Sequence, residues 1–199
     1  MSILVVIQAR MGSTRFPSKV LLHLYGKPIL QHVIDACKYD DEWKYVIALP
    51  DTVADRELAQ MFLYTHITSC KENDVLGRFY EVGKEYDRSI VVRLTGDCPM
   101  ITGEIIEDVI EQHLASQSDF TYNSDVEQGD GIDVEVMKMS VLKECHEQAT
   151  SVYDREHVTS WIRRNPRYKK LRVGVPDYPT RSINTLDDYV WVHQHWRKE

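Results

Sequence analysis

Three cationic side chains follow the first apolar run of the sequence within one short segment. Arg10, Arg15 and Lys19 follow residues 3–7, and the same segment contains Gly12 and the hydroxyl residues Ser13 and Thr14. The β-branched run predicts a strand buried on both faces, and open α/β sheets bind ligands beyond the carboxyl ends of their strands. Guanidinium, ammonium and hydroxyl groups suit phosphate. The segment therefore predicts a phosphate site, and the alternative is a basic loop that only faces solvent.

The segment differs from the two most familiar phosphate-binding patterns. Neither G-x-x-x-x-G-K-[ST] nor G-x-G-x-x-G occurs anywhere in the chain. A kinase-type loop and a dinucleotide-binding fold are therefore disfavoured.

A carboxylate follows the second strongly apolar run. Ile90–Thr95 predicts another buried strand, and the polar turn after it contains Gly96, Asp97 and Pro99. Mg²⁺ prefers one or two carboxylates completed by water and phosphate oxygens, so Asp97 is a candidate metal ligand. The alternative is an aspartate that caps an ordinary turn.

The elements that must position these residues alternate between strands and helices. Further strands are predicted at residues 45–49 and 67–69, and helices are predicted to begin near Pro28, Thr52, Asn73 or Asp74, and Thr102. This alternation favours a mostly parallel sheet with helices on both faces.

The pattern changes after residue 119. Short strands are predicted at residues 120–123, 134–137, 171–175 and 181–184. Helices are predicted at residues 140–150 and 153–164, and a capping box at Thr185 is predicted to open a final helix that runs through Trp196. The polar stretch with Gly129, Asp130 and Gly131 is predicted to be a functional loop.

Length and composition set further limits. With 199 residues and 43% hydrophobic residues, the chain is predicted to form one domain over residues 1–199. A net charge of −7 disfavours binding to nucleic acid. The four cysteines lack metal or disulfide spacing, which predicts reduced thiols in the cytoplasm, and no apolar run approaches the roughly 20 residues that span a bilayer.

Several segments resemble those of cytidylyltransferases that activate acidic sugars. These are QARMGSTRFPSKVL at residues 8–21, GKP at 26–28 and QHV at 31–33. The family includes the CMP-3-deoxy-manno-octulosonate and CMP-acylneuraminate synthetases, and the chain is most similar to spore coat polysaccharide biosynthesis SpsF-type proteins. The resemblance implies a three-layer α/β/α Rossmann-like nucleotidyltransferase with a mostly parallel central sheet. It also implies a Mg²⁺-dependent homodimer that transfers CMP from CTP to an acidic sugar or related acceptor, in surface polysaccharide or glycan biosynthesis.

The resemblance also implies roles for residues around the nucleotide. Arg10, Arg15, Lys19 and Asp97 would be the catalytic residues, with the three cations on the β- and γ-phosphates and main-chain amides around the loop completing the site. The implied nucleotide-binding residues are Ala9, Arg10, Met11, Gly12, Ser13, Thr14, Arg15, Lys19, Asn73, Asp74, Arg78, Gly96 and Asp97.

The implied metal site departs from the family pattern. Asp97 lies in GDCP and matches the metal-binding aspartate, whereas the second metal aspartate is replaced by Asn184 in INTLDD at residues 183–188. An amide oxygen binds a hard cation without bringing charge, so the affinity for Mg²⁺ is expected to fall unless Asp133 contributes.

The base and acceptor sites are implied by weaker matches. NDVLGRFY at residues 73–80 resembles a stretch beside the base, where Arg78 is the candidate for reading cytosine or, alternatively, forms a helix-surface salt bridge. GIDVEV at 131–136 resembles the border of the sugar pocket, into which Asp133 and Glu135 are predicted to project. Arg155 and His157 complete the implied acceptor residues, although His157 would equally suit a subunit interface.

Two alternatives remain at this point. In the first, the chain is a cytidylyltransferase whose acceptor is a phosphorylated polyol or sugar, or a phosphonate. In the second, the chain is a non-catalytic nucleotide-binding module, for which Asn184 is the main argument.

Overall fold

The computed structural model describes residues 2–124, 131–174 and 177–196 of the chain. Its strands are β1 (Ile3–Gln8), β2 (His23–Leu24), β3 (Lys27–Pro28), β4 (Lys44–Pro50), β5 (Thr65–Thr68), β6 (Ile90–Thr95), β7 (Phe120–Tyr122), β8 (Glu135–Lys138) and β9 (Lys170–Arg172). Its α-helices are α1 (Ile29–Cys37), α2 (Val53–Met61), α3 (Val75–Tyr86), α4 (Gly103–Ser116), α5 (Met139–Gln148), α6 (Val152–His157), α7 (Ser160–Arg164) and α8 (Leu186–His195). A short 3₁₀ helix spans Lys19–Leu21.

A seven-stranded sheet forms the centre, in the order β5-β4-β1-β6-β8-β7-β9. The first four strands run parallel, β8 runs antiparallel to both of its neighbours, and β7 pairs in parallel with β9. The predicted mostly parallel sheet is therefore confirmed. Strands β2 and β3 form a separate antiparallel pair.

The two central strands are buried on both faces, as their apolar runs predict. Along β1, Val5 and Ile7 join one apolar cluster, whereas Leu4 and Val6 join the other. Helices α1, α4 and α8 pack into the first cluster, and α3 and α5 pack into the second. The result is the three-layer α/β/α arrangement expected from the sequence.

The register of the sheet places the ends of β1 and β6 side by side. Gln8 pairs with Thr95, and the amide of Gly96 donates to the carbonyl oxygen of Gln8 over 2.8 Å. The basic loop after β1 and the turn with Asp97 therefore leave the sheet at the same edge. This is the relation that the two apolar runs predicted.

Predicted helix starts are confirmed at four side chains, of which Thr52 caps α2. Asp74 caps α3 by accepting a hydrogen bond from the amide of Gly77 over 3.0 Å, and Thr102 caps α4. Thr185 and Asp188 form the predicted capping box at the start of α8. Within the described residues, no helix is long and apolar enough to cross a membrane.

Two predicted elements are wrong. Residues 181–184 form no strand, because the amide of Ile183 donates to the carbonyl oxygen of Asp97 and the amide of Asn184 donates to the side chain of Asp188. The predicted helix 153–164 is split into α6 and α7 by a turn at Val158, whose φ is 54°. Of the predicted functional loop, Gly129 and Asp130 lie outside the described residues.

Candidate active site

A cleft of about 360 Å³ opens where the loops after β1 and β6 meet. It is lined by residues from both loops, from α3, from the carboxyl end of β6, from the end of α6 and from the segment before α8. These residues are Gln8, Ala9, Arg10, Ser13, Thr14, Arg15, Lys19, Val20, Val75, Arg78, Arg93, Gly96, Asp97, Glu156, His157 and Asn184.

Lys19 lies at the bottom of this cleft and joins the two candidate metal ligands. Its ammonium group forms an ion pair with the carboxylate of Asp97 and donates to Oδ1 of Asn184 over 3.0 Å. Arg15 also donates to Oδ1 of Asn184, over 3.2 Å. Lys19 is only 7% exposed, so the alternative of a basic loop that only faces solvent does not hold for this residue. Burial costs little here because the charge is paired.

A buried carboxylate accepts a hydrogen bond from the backbone of the basic loop. The amide of Met11 donates to Oδ1 of Asp55 over 2.7 Å, and Thr52 fixes the other oxygen of this fully buried side chain. The amides of Ala9 and Ser13 donate to carbonyl oxygens of the protein. Three of the amides predicted to cradle phosphate are therefore already engaged in hydrogen bonds within the protein.

Two predicted loop residues do not line the cleft. Met11 packs against the core on the sheet side of the loop. A Cβ atom at Gly12 would collide with the carboxylate of Glu72, which pairs with Arg10 over 3.4 Å. Gly12 therefore allows the loop to pack closely against Glu72 rather than a phosphate to approach.

Arg78 is a buried cation that faces the cleft without a complete set of partners. It is 1% exposed, its Nη1 donates to the carbonyl oxygen of Glu72 over 3.0 Å, and its Nε is buried without a hydrogen bond. Burial and the nearby charge of Arg10 lower its pKa. The alternative of a helix-surface salt bridge is wrong, because the side chain points inward.

Asn73, Asp74 and Arg155 do not line the cleft. Asn73 is exposed, and the carboxylate of Asp74 accepts two hydrogen bonds from Arg155, at 2.7 and 2.6 Å. Burial alone would raise the pKa of Asp74, but the hydrogen bonds from Arg155 and from the amide of Gly77 outweigh it and hold the pKa below its usual value. This ion pair ties α6 to α3, and the predicted ligand contacts of these three residues remain predictions.

Most of the predicted acceptor residues do not line the cleft. Glu135 is 3% exposed and pairs with Arg93 and Arg163, so it does not project into the cleft beside Asp133. The carboxylate of Asp133 accepts from the amide of Gly131 over 3.2 Å and does not line the cleft. Of the predicted acceptor set, His157 alone lines it.

Five cleft residues were missed from the sequence, namely Gln8, Val20, Val75, Arg93 and Glu156. Arg93 carried a usable signal, because a charged residue inside an otherwise apolar strand needs a partner or a ligand. Glu156 had no such signal, since its position depends on the turn at Val158.

The residues around Asp97 fit a divalent cation of the Mg²⁺ type. Within the described residues, no group of three or more His, Cys, Asp or Glu side chains is placed to hold a metal. Mg²⁺ does not need one, because it is commonly bound through one or two protein oxygens, with water and substrate phosphate completing its shell. Asp97 and Asn184 supply a carboxylate and an amide oxygen, and Lys19 contacts both.

A larger depression of about 870 Å³ lies elsewhere, beside α1 and the start of α4. Its walls include Tyr25, Tyr39 and Trp196, and the carboxylate of Asp35 there pairs with Lys38. It contains none of the loop cations. The smaller cleft is therefore the candidate active site.

Comparison with known proteins agrees with this fold. Residues 4–195 match the sequence profile of the family described as Cytidylyltransferase. The spore coat polysaccharide biosynthesis protein SpsF of Bacillus subtilis is 32% identical over 213 residues, covering 98% of this chain and 87% of the relative. The 3-deoxy-manno-octulosonate cytidylyltransferase of Elusimicrobium minutum is 29% identical over 187 residues, covering 90% and 75%. A cytidylyltransferase structure from Leptospira borgpetersenii superposes with a TM-score of 0.89 at 26% identity, covering 100% and 89%.

Proposed function

This chain belongs to the cytidylyltransferase family, and we propose that it transfers CMP from CTP to an acidic sugar or related acceptor and releases pyrophosphate. The acceptor class rests on relatives named for spore coat polysaccharide and for 3-deoxy-manno-octulosonate. The reaction would serve the synthesis of a surface polysaccharide or glycan. We place this activity in a single nucleotidyltransferase domain.

The observation that carries this proposal is the meeting of Lys19, Asp97 and Asn184 beneath the basic loop. In the transfer, an acceptor oxygen forms a bond to the α-phosphorus while the bond from that phosphorus to the bridging oxygen breaks. Negative charge accumulates on the departing pyrophosphate. Arg10, Arg15 and Lys19 would neutralise this charge from fixed positions, which is how preorganised cations accelerate phosphoryl chemistry.

A divalent cation, which we propose to be Mg²⁺, would be held by Asp97 and Asn184. When bound, it would supply charge neutralisation to the phosphate oxygens. Lys19 keeps the two oxygen ligands close together by contacting both of them. The amide of Ile183 also donates to the carbonyl oxygen of Asp97 over 2.9 Å, so the two segments are joined through their backbones.

Arg78 is suited to recognise the base. Its buried Nε has no partner among the described residues, so a ligand acceptor placed there would satisfy it. The N3 atom of cytosine accepts a hydrogen bond, whereas N3 of uracil donates one. A guanidinium aimed at N3 would therefore favour CTP over UTP, since the wrong base leaves a buried donor unpaired.

We further propose a cytoplasmic homodimer that covers the start of α6. Val152 and Tyr153 are neighbouring apolar side chains that are 70% and 60% exposed, on the helix that ends at the cleft residue His157. A twofold interface would reuse this patch on both subunits. The four cysteines, all among the described residues, form no disulfide, which suits a reducing compartment.

A pyrophosphate assay tests the proposed function against a non-catalytic binding module. The protein is incubated with CTP, MgCl₂ and a panel of acidic sugars, phosphorylated polyols and phosphonates, and CTP affinity is measured by calorimetry. Release of pyrophosphate that depends on an acidic sugar supports the proposal. Tight CTP binding without pyrophosphate release for any acceptor would support the binding module, for which Asn184 remains the argument.

A further inference from the structure

Arg93 lies on the wall of the cleft that faces the basic loop, and nothing in the proposed reaction yet uses it. It sits near the carboxyl end of β6, four positions before Asp97, and its side chain is 15% exposed. Its Nε donates to Oε1 of Gln8 over 3.2 Å, and its Nη1 donates to Oε2 of Glu135 over 2.7 Å. Within the described part of the chain, no hydrogen bond is found for its Nη2.

The carboxylate that holds Arg93 is shared with a second guanidinium. Glu135 is 3% exposed and also accepts hydrogen bonds from Arg163 over 2.6 Å and from Thr159 over 2.7 Å. Burial by itself would raise the pKa of Glu135, but Arg93 and Arg163 outweigh it and lower the pKa. Two cations thus surround one carboxylate, and this cluster keeps one positive charge in excess.

Of the two guanidinium groups that Glu135 binds, the one of Arg93 lines the cleft, where it also lies 5.9 Å from the ring centroid of Phe79. Arg163 lies away from the cleft, with its guanidinium 4.1 Å from the ring centroid of Tyr122. Arg93, in contrast, lines the cleft next to His157 and Glu156. Glu156 is exposed, whereas the side chain of Arg93 is only 15% exposed, so water screens the charge of Glu156 more than that of Arg93. The free edge of the Arg93 guanidinium is therefore the cationic feature of this wall.

An unusual turn builds the same wall from the other side. Val158 has φ 54° and ψ −64°, and the amide of Thr159 donates to the carbonyl oxygen of His157 over 2.5 Å. This is a γ-turn of the rare, strained form, which is unfavourable for a β-branched residue. The turn faces His157 to the cleft while it directs Thr159 onto Glu135. One strained residue thus positions both parts of the wall.

We propose that Arg93 binds the anionic group of the acceptor, a carboxylate or a phosphate, and that Glu135 is the positioning residue that holds its guanidinium towards the cleft. The proposal rests on the proposed function, because it assigns the wall opposite the triphosphate loop to the second substrate. Guanidinium groups bind both oxyanions through charge-assisted hydrogen bonds.

The test uses the full chain loaded with Mg²⁺ and a CTP analogue in which a methylene group replaces the α,β-bridging oxygen. Three probes are titrated, namely 3-deoxy-manno-octulosonate as the carboxylate, glycerol 1-phosphate as the phosphate, and mannose as the neutral sugar. The readout is the side-chain ¹⁵N–¹H resonance of Arg93 Nε, which the hydrogen bond to Gln8 protects and which Arg93→Lys assigns. We expect one of the two anions to shift this resonance and mannose to leave it unchanged.

Kinetics supply the second readout with whichever anion is turned over. Arg93→Gln should raise the acceptor KM about 10- to 100-fold, as expected for a lost hydrogen bond to a charged group, and should leave the dissociation constant of CTP within about twofold. Arg167→Gln, a surface change remote from the cleft, is the matched control. Thermal unfolding of each variant accompanies the kinetics.

The proposal is overturned if neither anion moves the Arg93 resonance, whether or not turnover is observed. It is also overturned if Arg93→Gln weakens CTP binding as strongly as acceptor use, or lowers only the melting temperature. An anion response at Arg93 without pyrophosphate release by the wild type with CTP would count against the proposed function alone.

Discussion

The side chain of Lys19 donates a hydrogen bond to Oδ1 of Asn184 over 3.0 Å, across 165 positions of sequence. The same ammonium group pairs with Asp97. Asn184 therefore faces Asp97 across the ammonium group of Lys19, although the Asn184 side chain brings no charge. The predictions below follow from this arrangement and from the groups around it.

Removing a loop cation should weaken the use of CTP. Arg15 is exposed and contacts Asn184, so Arg15→Ala should lower kcat/KM for CTP without unfolding the protein. Loss of one phosphate-binding donor typically costs about 2 to 4 kcal/mol in the transition state. Turnover at subsaturating CTP is measured beside Lys71→Ala, an exposed control outside the cleft. Equal turnover in both variants would refute the phosphate assignment of the loop.

Substitution of Lys19 should reduce activity more than substitution of Arg15, because Lys19 is buried against Asp97. Lys19→Ala would leave a carboxylate without its partner, so part of any loss would reflect the structure of the site. Lys19→Gln keeps most of the volume and a hydrogen-bond donor to Asn184. We expect both variants to lose about 10²- to 10³-fold in kcat, as for other lost charge-stabilising donors, while circular dichroism shows a folded Lys19→Gln. A Lys19→Gln variant with wild-type kcat would contradict the assignment.

Asn184→Asp should reduce the magnesium requirement. The change adds a negative charge beside Asp97, and hard cations bind carboxylates more tightly than amide oxygens. The magnesium concentration that gives half-maximal activity should fall, and Mn²⁺ binding followed by electron paramagnetic resonance should tighten in parallel. Asp187→Asn, a change on the nearby first turn of α8, is the control for local charge. A magnesium titration unchanged by Asn184→Asp would place the metal elsewhere.

Selectivity for cytosine should depend on Arg78. We expect calorimetry to show tighter binding of CTP than of UTP, and Arg78→Met to reduce that difference by about 1 to 3 kcal/mol, the cost of leaving a buried polar group unpaired. Arg56→Met, a surface arginine paired with Asp51, is the matched control. A preference for CTP that survives in Arg78→Met would remove the residue assignment but not the preference.

Dimerisation should depend on the start of α6. Light scattering at micromolar concentration should report a dimer for the wild type and a monomer for the double variant Val152→Glu, Tyr153→Glu. Leu63→Glu introduces the same charge at another exposed apolar position, 79% exposed, and should leave the dimer intact. A monomeric wild type would exclude the homodimer, and a dimeric double variant would place the interface elsewhere.

The free energy of unfolding should decrease as the pH is lowered, because of one buried histidine on α4. Burial and, less strongly, Lys138 lower the pKa of His113 from 6.5 to about 4. The unfolded chain therefore takes up this proton below about pH 6.5, whereas the folded chain does so only near pH 4. This group should lower the free energy of unfolding progressively between these values, by up to about 3 kcal/mol. Urea titrations of the wild type and His113→Gln should converge as the pH falls, and parallel curves would contradict the assignment.

The parts of the fold that could be predicted are those encoded by local pattern. The apolar runs of β1 and β6 indicated buried parallel strands, and their shared edge followed from sheet geometry. Asp74 and Thr185 were recognisable as caps because capping depends on residues only three positions apart. Asp97 and the loop cations were placed at one edge for the same reason.

The parts that could not be predicted depend on tertiary partners. Glu135 was predicted to project into the sugar pocket beside Asp133, but Arg93 and Arg163 neutralise it in the interior. The break at Val158 has no glycine or proline to mark it, because it is imposed by contacts of Thr159 and Cys145. Residues 181–184 alternate like a strand, yet their amides bind Asp97 and Asp188 instead.

Mass spectrometry of the reaction products tests the central claim most directly. The wild type is incubated with CTP, MgCl₂ and 3-deoxy-manno-octulosonate or a related acidic sugar, and Asp97→Asn is treated identically. The account predicts a CMP–acceptor adduct and an equal amount of pyrophosphate from the wild type, with nearly none from Asp97→Asn. Bound CTP that yields no adduct, or an adduct formed equally well by Asp97→Asn, would contradict it.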